Sequence, residues 1–406
     1  MSPSTPTPPD RQRVLNVLYL VNGLSATVVS TVAPVLPELY RAFAEVPGAR
    51  LQVDIFLSIA ALFLAFAGPT MGPLARRWGK VPVLIGSLLL FAVAGAAGAV
   101  LSTLPMMIAS RALVGIAAAG IMTTSMALLM EYTDPGERNA MIGRQVATMG
   151  AASVFGSLLG GWLADVNWRY SFLPFLAGLP GAAVCALYLK DRGADAPSQA
   201  PGGPASVAAP AWRMYLLIAL SISLFSLVLL YTPFRLKEIG VAGSFSKGMA
   251  VAVFLLTCSA TSLMYHRLKS RMTFTVVYAC VYVLAGLGSL LLYGAGSLTT
   301  MLASLVICAL GWGLFLPNST ALVMSSVPPS ARMAAAGGLS MAVYLGQFAS
   351  PFLGGYFARS IGIAPTFAGA AALLVTAGVV ALLLSLRRNP SPPQEAAARP
   401  GNTSGT

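Results

Sequence analysis

Long apolar runs, separated by short polar or charged segments, dominate the sequence. Residues 55–75, 81–101 and 367–386 contain no charged side chain, and Arg111 is the only charge between Lys80 and Glu131. A helix rises 1.5 Å per residue, so about 20 such residues cross the roughly 30 Å of hydrocarbon in a bilayer. The pattern therefore predicts membrane-spanning helices.

Twelve spans are predicted, which indicates an all-α membrane protein. The glycines and prolines inside them are compatible with membrane helices, which use Gly for close packing and Pro for kinks. The predicted spans are 13–37, 54–76, 81–103, 105–130, 139–164, 169–189, 212–234, 246–267, 273–294, 298–325, 333–358 and 363–386.

An internal repeat relates the two sets of six spans. At an offset of 194 residues, Pro135 aligns with Pro329, Arg138 with Arg332, and the pair at 160–161 with that at 354–355. Such a match predicts two parallel structural repeats. The expected units are a disordered cytoplasmic tail (1–12), a six-helix half (13–189), a Gly-, Pro-, Ala- and Ser-rich linker (190–211), a second six-helix half (212–387) and a disordered tail (388–406).

Composition and charge support this class. The chain is 57% hydrophobic and only 9% charged, whereas a soluble protein has about 25% charged residues. Its net charge of +13 arises from basic loops and predicts no nucleic-acid partner. Alternating the spans places 17 Lys and Arg residues on the side of the termini and 7 on the other. This bias predicts a multi-pass protein of the cell (inner) membrane with both termini cytoplasmic.

Three motifs resemble those of the major facilitator superfamily, specifically its twelve-helix drug:proton antiporter branch. Residues 72–80 (GPLARRWGK) resemble the family loop Gly-x-Leu-Ala-Asp-Arg-x-Gly-Arg-Lys, with Arg76 in place of Asp. Arg111 and Gly115 resemble the element Arg-x-x-x-Gly. The fifth and eleventh spans keep the glycine spacing of the antiporter signature, through Gly156, Gly160 and Gly161 in one span and Pro351, Gly354 and Gly355 in the other.

The resemblance implies a fold and a set of roles. The expected architecture is the major facilitator fold, and the glycine positions, with Pro351, are expected to form a packing hinge between halves that rock. Static close packing is the alternative for these positions. In the family the loop at 72–80 takes part in conformational switching, which suggests switch roles for Arg76, Arg77 and the nearby Glu131. The alternative is that these cations only fix topology.

The polar side chains of the spans suggest a site for cargo. By resemblance the first, fourth, seventh and tenth helices line a central cavity, and a cavity with one cation, a few amides and phenols and much apolar wall suits a small amphipathic or anionic organic molecule. The predicted substrate-binding residues are Asn22, Arg111, Tyr231, Asn318, Tyr344 and Gln347.

Acidic residues bear on energy coupling. A proton-coupled carrier needs a carboxylate that is reached alternately from both sides, and only Asp54 and Glu131 lie close enough to spans. Asp54 is the better coupling candidate and Glu131 the better switch residue. The resemblance thus favours export of a drug or an endogenous metabolite such as a siderophore, by proton antiport. A nutrient or metabolite uptake carrier, a uniporter, and a non-transporting sensor or scaffold remain alternatives.

An enzymatic function is not expected. The chain has one His, no Cys-x-x-Cys and no Walker-type phosphate loop. We therefore expect no catalytic residue, no metal site and no cofactor. The expected partners are a small-molecule substrate, membrane lipid and protons, and the chain is expected to act as a monomer.

Overall fold

The computed structural model describes residues 8–189, 212–328 and 331–387, and within these ranges every regular element is helical. A short helix, α2, follows the first long one, and 3₁₀ segments occur at Ala33–Val35, Pro135–Glu137 and Trp168–Ala177. The helices are α1 (Pro8–Ser30), α2 (Leu36–Ala42), α3 (Ala49–Trp78), α4 (Lys80–Ala97), α5 (Leu104–Tyr132), α6 (Arg138–Val166), α7 (Gly178–Tyr188), α8 (Trp212–Glu238), α9 (Ser244–Lys269), α10 (Phe274–Gly294), α11 (Leu298–Ser325), α12 (Arg332–Ser360) and α13 (Ile363–Arg387).

The helices confirm the predicted all-α membrane fold. Of the described residues, eleven segments are long and apolar enough to cross a membrane. The helix α12 occupies the predicted eleventh span and has 29 residues, but it is not among those eleven. Its sequence contains Gln347, Ser350 and several glycines, which lower its hydropathy. The predicted linker 190–211 and the predicted tail at 388–406 lie outside the described residues.

The first span differs from the prediction at both ends. The helix α1 begins at Pro8, so part of the predicted tail 1–12 is helical, and it ends at Ser30 instead of continuing to residue 37. Pro34 and Pro37 explain the early end, because proline lacks an N–H and clashes with the preceding helical turn. The chain then forms the 3₁₀ turn and α2, which carries Glu38.

Two faces of the bundle can be defined from side-chain contacts. Arg11 near the start of α1 donates to the carbonyl of Tyr132 at the end of α5. We call this side, where the described chain begins, the terminal face. Arg169 donates to the carbonyls of Ala99 and Leu101 beyond α4. This opposite side is the distal face.

The halves meet through two long-helix contacts. We call α1–α7 the first half and α8–α13 the second half. The helix α3 packs on α12, and α6 packs on α9. By the repeat offset of 194 residues, α3 corresponds to α9 and α6 to α12, so the two contacts are related by the repeat. Any movement of one half relative to the other would therefore change the surroundings of the residues at these contacts.

Candidate functional site

A buried acid lies at the α3–α12 contact near the distal face. Asp54 is 1% exposed, and its Oδ2 accepts a hydrogen bond of 3.2 Å from the hydroxyl of Tyr231 in α8. Its Oδ1 has no hydrogen-bond partner among the described residues. A buried carboxyl oxygen without a partner is uncommon in folded proteins. The carboxyl group is therefore held across the two halves by one hydrogen bond only.

Glycines of α12 leave the space for this arrangement. A Cβ on Gly355 would lie 3.2 Å from Asp54 Oδ2, 3.3 Å from the Tyr231 hydroxyl and 3.0 Å from Nη1 of Arg359. A Cβ on Gly354 would lie 2.9 Å from the ring of Tyr231. The predicted glycine pair thus lets α12 approach the acid, the phenol and a guanidinium at one point.

The α6–α9 contact is built differently, from backbone against backbone. A Cβ on Gly161 would lie 2.6 Å from the carbonyl oxygen of Ser244 and 3.1 Å from Cα of Phe245. The hydroxyl of Ser157 donates to the carbonyl of Gly248 over 2.8 Å. Small residues permit this approach in membrane helices.

The other predicted hinge positions lie within one half. Gly156 faces the side chain of Thr31, and Gly160 faces the Thr31 backbone, just beyond the end of α1. Pro351 is buried inside α12. Gly156 and Gly160 are thus closely packed against the end of α1, whereas a hinge role for all these positions stays a prediction.

Arg111 lies inside the first half, away from the second. It is 1% exposed, and its Nη2 donates to the carbonyl of Val28 near the end of α1. Its guanidinium carbon lies 5.4 Å from the ring centroids of both Phe56 and Phe175. Its Nε and Nη1 have no hydrogen-bond partner among the described residues. In this conformation Arg111, predicted to bind the cargo, instead caps the C-terminus of a helix, where a positive charge is favourable.

The other predicted cargo residues are dispersed. Asn22 is buried and bonds to Ser125 and Gln145 inside the first half. Asn318 contacts the hydroxyl of Tyr265 and the carbonyl of Phe274 inside the second. These amides satisfy interhelical hydrogen bonds, as is common for polar residues in membrane bundles.

Two predicted cargo residues lie midway along α12. The hydroxyl of Tyr344 contacts the Met122 sulfur of α5 over 3.4 Å, which links the halves. Gln347 is partly exposed on the same helix. The structure therefore brings Tyr344 to the boundary between the halves, with Gln347 one turn further along the same helix, and Tyr231 to the acid Asp54. Asn22, Arg111 and Asn318 lie apart from them, each inside one half.

The predicted switch residues lie at the terminal face. Glu131 forms an ion pair with Lys80 at 2.8 Å, whereas Arg76 and Arg77 are exposed at the end of α3. In this conformation Glu131 is therefore paired with Lys80, and a switch role for Glu131, Arg76 and Arg77 stays a prediction. Lys80 begins the next helix and lies closer to the end of α5.

Several contacting residues were missed by sequence reasoning. Arg359 by Asp54 and Asp165 by the start of α9 occupy matching positions at the repeat offset of 194 residues, which is a signal that could have identified them. Glu38 and Lys247 form an ion pair between the halves at 2.6 Å. We find no sequence signal for this pair, because it depends on how the halves meet.

The structure offers no evident metal centre within its described ranges. No group of three or more His, Cys, Asp or Glu side chains there is arranged to hold an ion. The four cysteines are free thiols. The polar contacts described above are interhelical and inter-half contacts.

Comparison with known proteins finds relatives that are transporters or drug-resistance proteins. The chain is 30% identical over 167 residues to an uncharacterized MFS-type transporter of Mycobacterium tuberculosis, covering 41% of this chain and 24% of that protein. It is 30% identical over 161 residues to the class C tetracycline resistance protein of Escherichia coli, covering 39% and 40%. It is 32% identical over 126 residues to the multidrug export protein EmrB of Escherichia coli, covering 31% and 24%. The alignments thus span less than half of these relatives.

Solved structures and the family as a whole extend the likeness to the full chain. A bacterial homolog of the human lysosomal transporter Spinster, in an inward-facing and occupied conformation, superposes with a TM-score of 0.76 at 15% identity, over 94% of this chain and 98% of that one. A human organic anion transporter superposes with a TM-score of 0.65 at 18% identity, over 92% and 100%. The sequence matches the Major Facilitator Superfamily over residues 18–278 and again over 236–404. The chain therefore belongs to the Major Facilitator Superfamily.

Proposed function

We propose that the chain exports a small amphipathic or anionic organic compound in exchange for protons, by alternating access. The observation that carries this proposal is Asp54, a buried acid at a contact between the halves with one unpartnered oxygen. Similarity to a tetracycline resistance protein and a multidrug export protein favours export over uptake.

The distribution of contacts supports alternating access. Five polar contacts among the described residues join the halves toward the distal face: Asp54–Tyr231, Glu38–Lys247, Asp165–Ser244, Asp165–Phe245 and Ser157–Gly248. The ion pairs described at the terminal face join Arg11 to Asp134 and Glu137, and Lys80 to Glu131, all within the first half. This conformation is closed distally. With cytoplasmic termini, which the Lys and Arg bias favours, it faces inward.

Asp54 suits proton coupling better than Glu131 does. Its only side-chain hydrogen bond described comes from Tyr231, which belongs to the other half. Opening the distal face would separate α3 from α8 and α12 and expose the carboxyl group to that side. Glu131 is bonded to Lys80 of its own half, so motion between the halves leaves its partner in place.

The lining near the boundary between halves favours an amphipathic cargo. Met122, Tyr344 and Gln347 combine a thioether, a phenol and an amide, and Met adapts to ligands of varied shape. Nε and Nη1 of Arg111 have no hydrogen-bond partner among the described residues, but the side chain is 1% exposed. An anionic group would therefore reach this guanidinium only after the helices around it rearrange.

The test is compound-driven proton flux in proteoliposomes. Purified protein is reconstituted with an internal pH-sensitive dye, and tetracycline is the first of a panel of amphipathic compounds. We expect flux with wild type and with Glu131→Gln. We expect Asp54→Asn to lose the proton flux, because an amide cannot carry the proton. The same variant should still exchange the compound across the membrane at equal concentrations on both sides, which shows that the carrier is folded.

Two outcomes contradict the proposal. Compound-driven flux that persists in Asp54→Asn and in the double variant with Glu131→Gln would exclude this carboxylate mechanism. Transport by wild type without proton movement would favour a uniporter or a carrier whose cargo supplies the charge.

A further inference from the structure

The first turn of α9 is held by two carboxyl groups of the first half. Asp165 at the end of α6 accepts hydrogen bonds from the backbone N–H of Ser244 at 2.5 Å and of Phe245 at 3.1 Å. Glu38 in α2 accepts a hydrogen bond of 2.6 Å from Nζ of Lys247. Both acids thus bind one turn of the opposite half.

The two carboxylates of this contact face positive charge on α9. A helix N-terminus carries about half a positive charge on its free N–H groups, and Lys247 adds a full charge in the same turn. Lys247 is 0% exposed. Loss of Glu38 while Lys247 stays buried would therefore leave an unpaired buried charge. Breaking one partner of such a pair is much more costly than breaking a surface ion pair.

The contact occurs at only one of the two repeat-related positions. At the offset of 194 residues, Asp165 corresponds to Arg359, which lies against α3 at the other contact between halves. A cation there cannot bind the N–H groups of the first turn of α3 in the same way. The carboxyl–helix contact is therefore specific to the α6–α9 side.

We propose that Glu38, Asp165 and Lys247 form a distal latch, a set of positioning residues that keeps the distal face closed and must separate in every transport cycle. The latch rests on the contacts alone and needs neither a proton-coupled mechanism nor a known cargo. Its failure and that of the proposed antiport are therefore distinguishable.

A distance measurement between the halves tests the latch. Spin labels are placed at Val100 and Gly296, exposed positions on the distal side of the first and second halves, after the four cysteines have been replaced by alanine. The variant is Glu38→Gln, which keeps the side-chain shape. The matched control is Glu238→Gln, whose ion pair with Arg235 at 3.2 Å stays within one helix.

We expect Glu38→Gln to raise the ratio of long to short distances by about tenfold or more, because a buried charge pair loses one partner. Glu238→Gln should leave that ratio unchanged. Exchanging the charges in Glu38→Lys with Lys247→Glu should restore the short distances that each single reversal loses. A wild-type distance distribution in Glu38→Gln, with a wild-type unfolding temperature to show that it is folded, would overturn the latch.

Discussion

At the scale of single residues, the repeat assigns different chemistry to its two contacts between halves. At the offset of 194 residues, Asp54 corresponds to Gly248. Gly248 faces the Ser157 backbone directly, whereas Asp54 presents a carboxyl group to Tyr231. At this pair of matching positions, one side brings backbone against backbone, and the other presents a carboxyl group to a phenol.

Gly161→Ala should weaken the distally closed conformation. Its new methyl would lie 2.6 Å from the carbonyl oxygen of Ser244, and overpacking of this kind costs about 1–3 kcal/mol. We expect a lower unfolding temperature in detergent and more distal opening between the labels described above. Gly86→Ala in α4 is the control, since nothing lies within 4 Å of its Cβ. Equal unfolding temperatures and equal label distances in the two variants would show that the close approach of α6 and α9 does not stabilise the distally closed conformation.

The sequence is enough to identify the unusual charged residues, but not to show which parts of the protein surround them. Arg111 and Asp54 both stand out as rare charges in apolar segments. The sequence suggested a cavity for Arg111, and the structure buries it against Val28 within one half. Asp54 was expected at the end of a span, and it lies between the halves. Only the packing of α3 against α12 distinguishes these environments.

At the scale of elements, the end of α1 joins the interior of the first half to the latch. Arg111 binds the carbonyl of Val28, Thr31 packs on Gly160, and Glu38 follows in α2. The apolar sequence through residue 37 predicted an unbroken span, because hydropathy does not register the two prolines as a helix end. Apolar run length otherwise accounts for eleven of the predicted spans, whereas α12 is less apolar and the sixth span begins as the 3₁₀ segment Trp168–Ala177.

Arg111→Met should loosen this segment without unfolding the protein. Loss of a charge-assisted hydrogen bond of about 1.5–3 kcal/mol should speed amide exchange at residues 29–33 by roughly tenfold or more. Exchange in α10 should stay unchanged. Arg111→Lys should rescue in part, because an ammonium can reach the carbonyl but does not stack on Phe56 and Phe175 as a guanidinium does. Unaltered exchange in Arg111→Met would refute the capping role.

At the scale of the whole molecule, the orientation in the membrane determines what the closed face means. The Lys and Arg bias predicts that both termini and the linker 190–211 are cytoplasmic. Reporter fusions in that linker and after residue 406 should be active only with a reporter that works in the cytoplasm. A signal from the opposite compartment at either position would contradict the proposed orientation, and the conformation would then face outward.

Under the proposed antiport, a single exchanging carboxyl group at Asp54 would limit how steep a gradient the carrier can build. Among the described acids between the halves, it is the one that neither a lysine nor a helix N-terminus binds. In that proposal one such site would exchange one proton per turnover, worth about 2.3 kcal/mol at 100 mV and about 1.4 kcal/mol for each pH unit. For an uncharged compound, the potential alone then supports a concentration ratio of roughly 50-fold, and each pH unit multiplies it by about ten. A steeper measured gradient would require a second proton per molecule expelled.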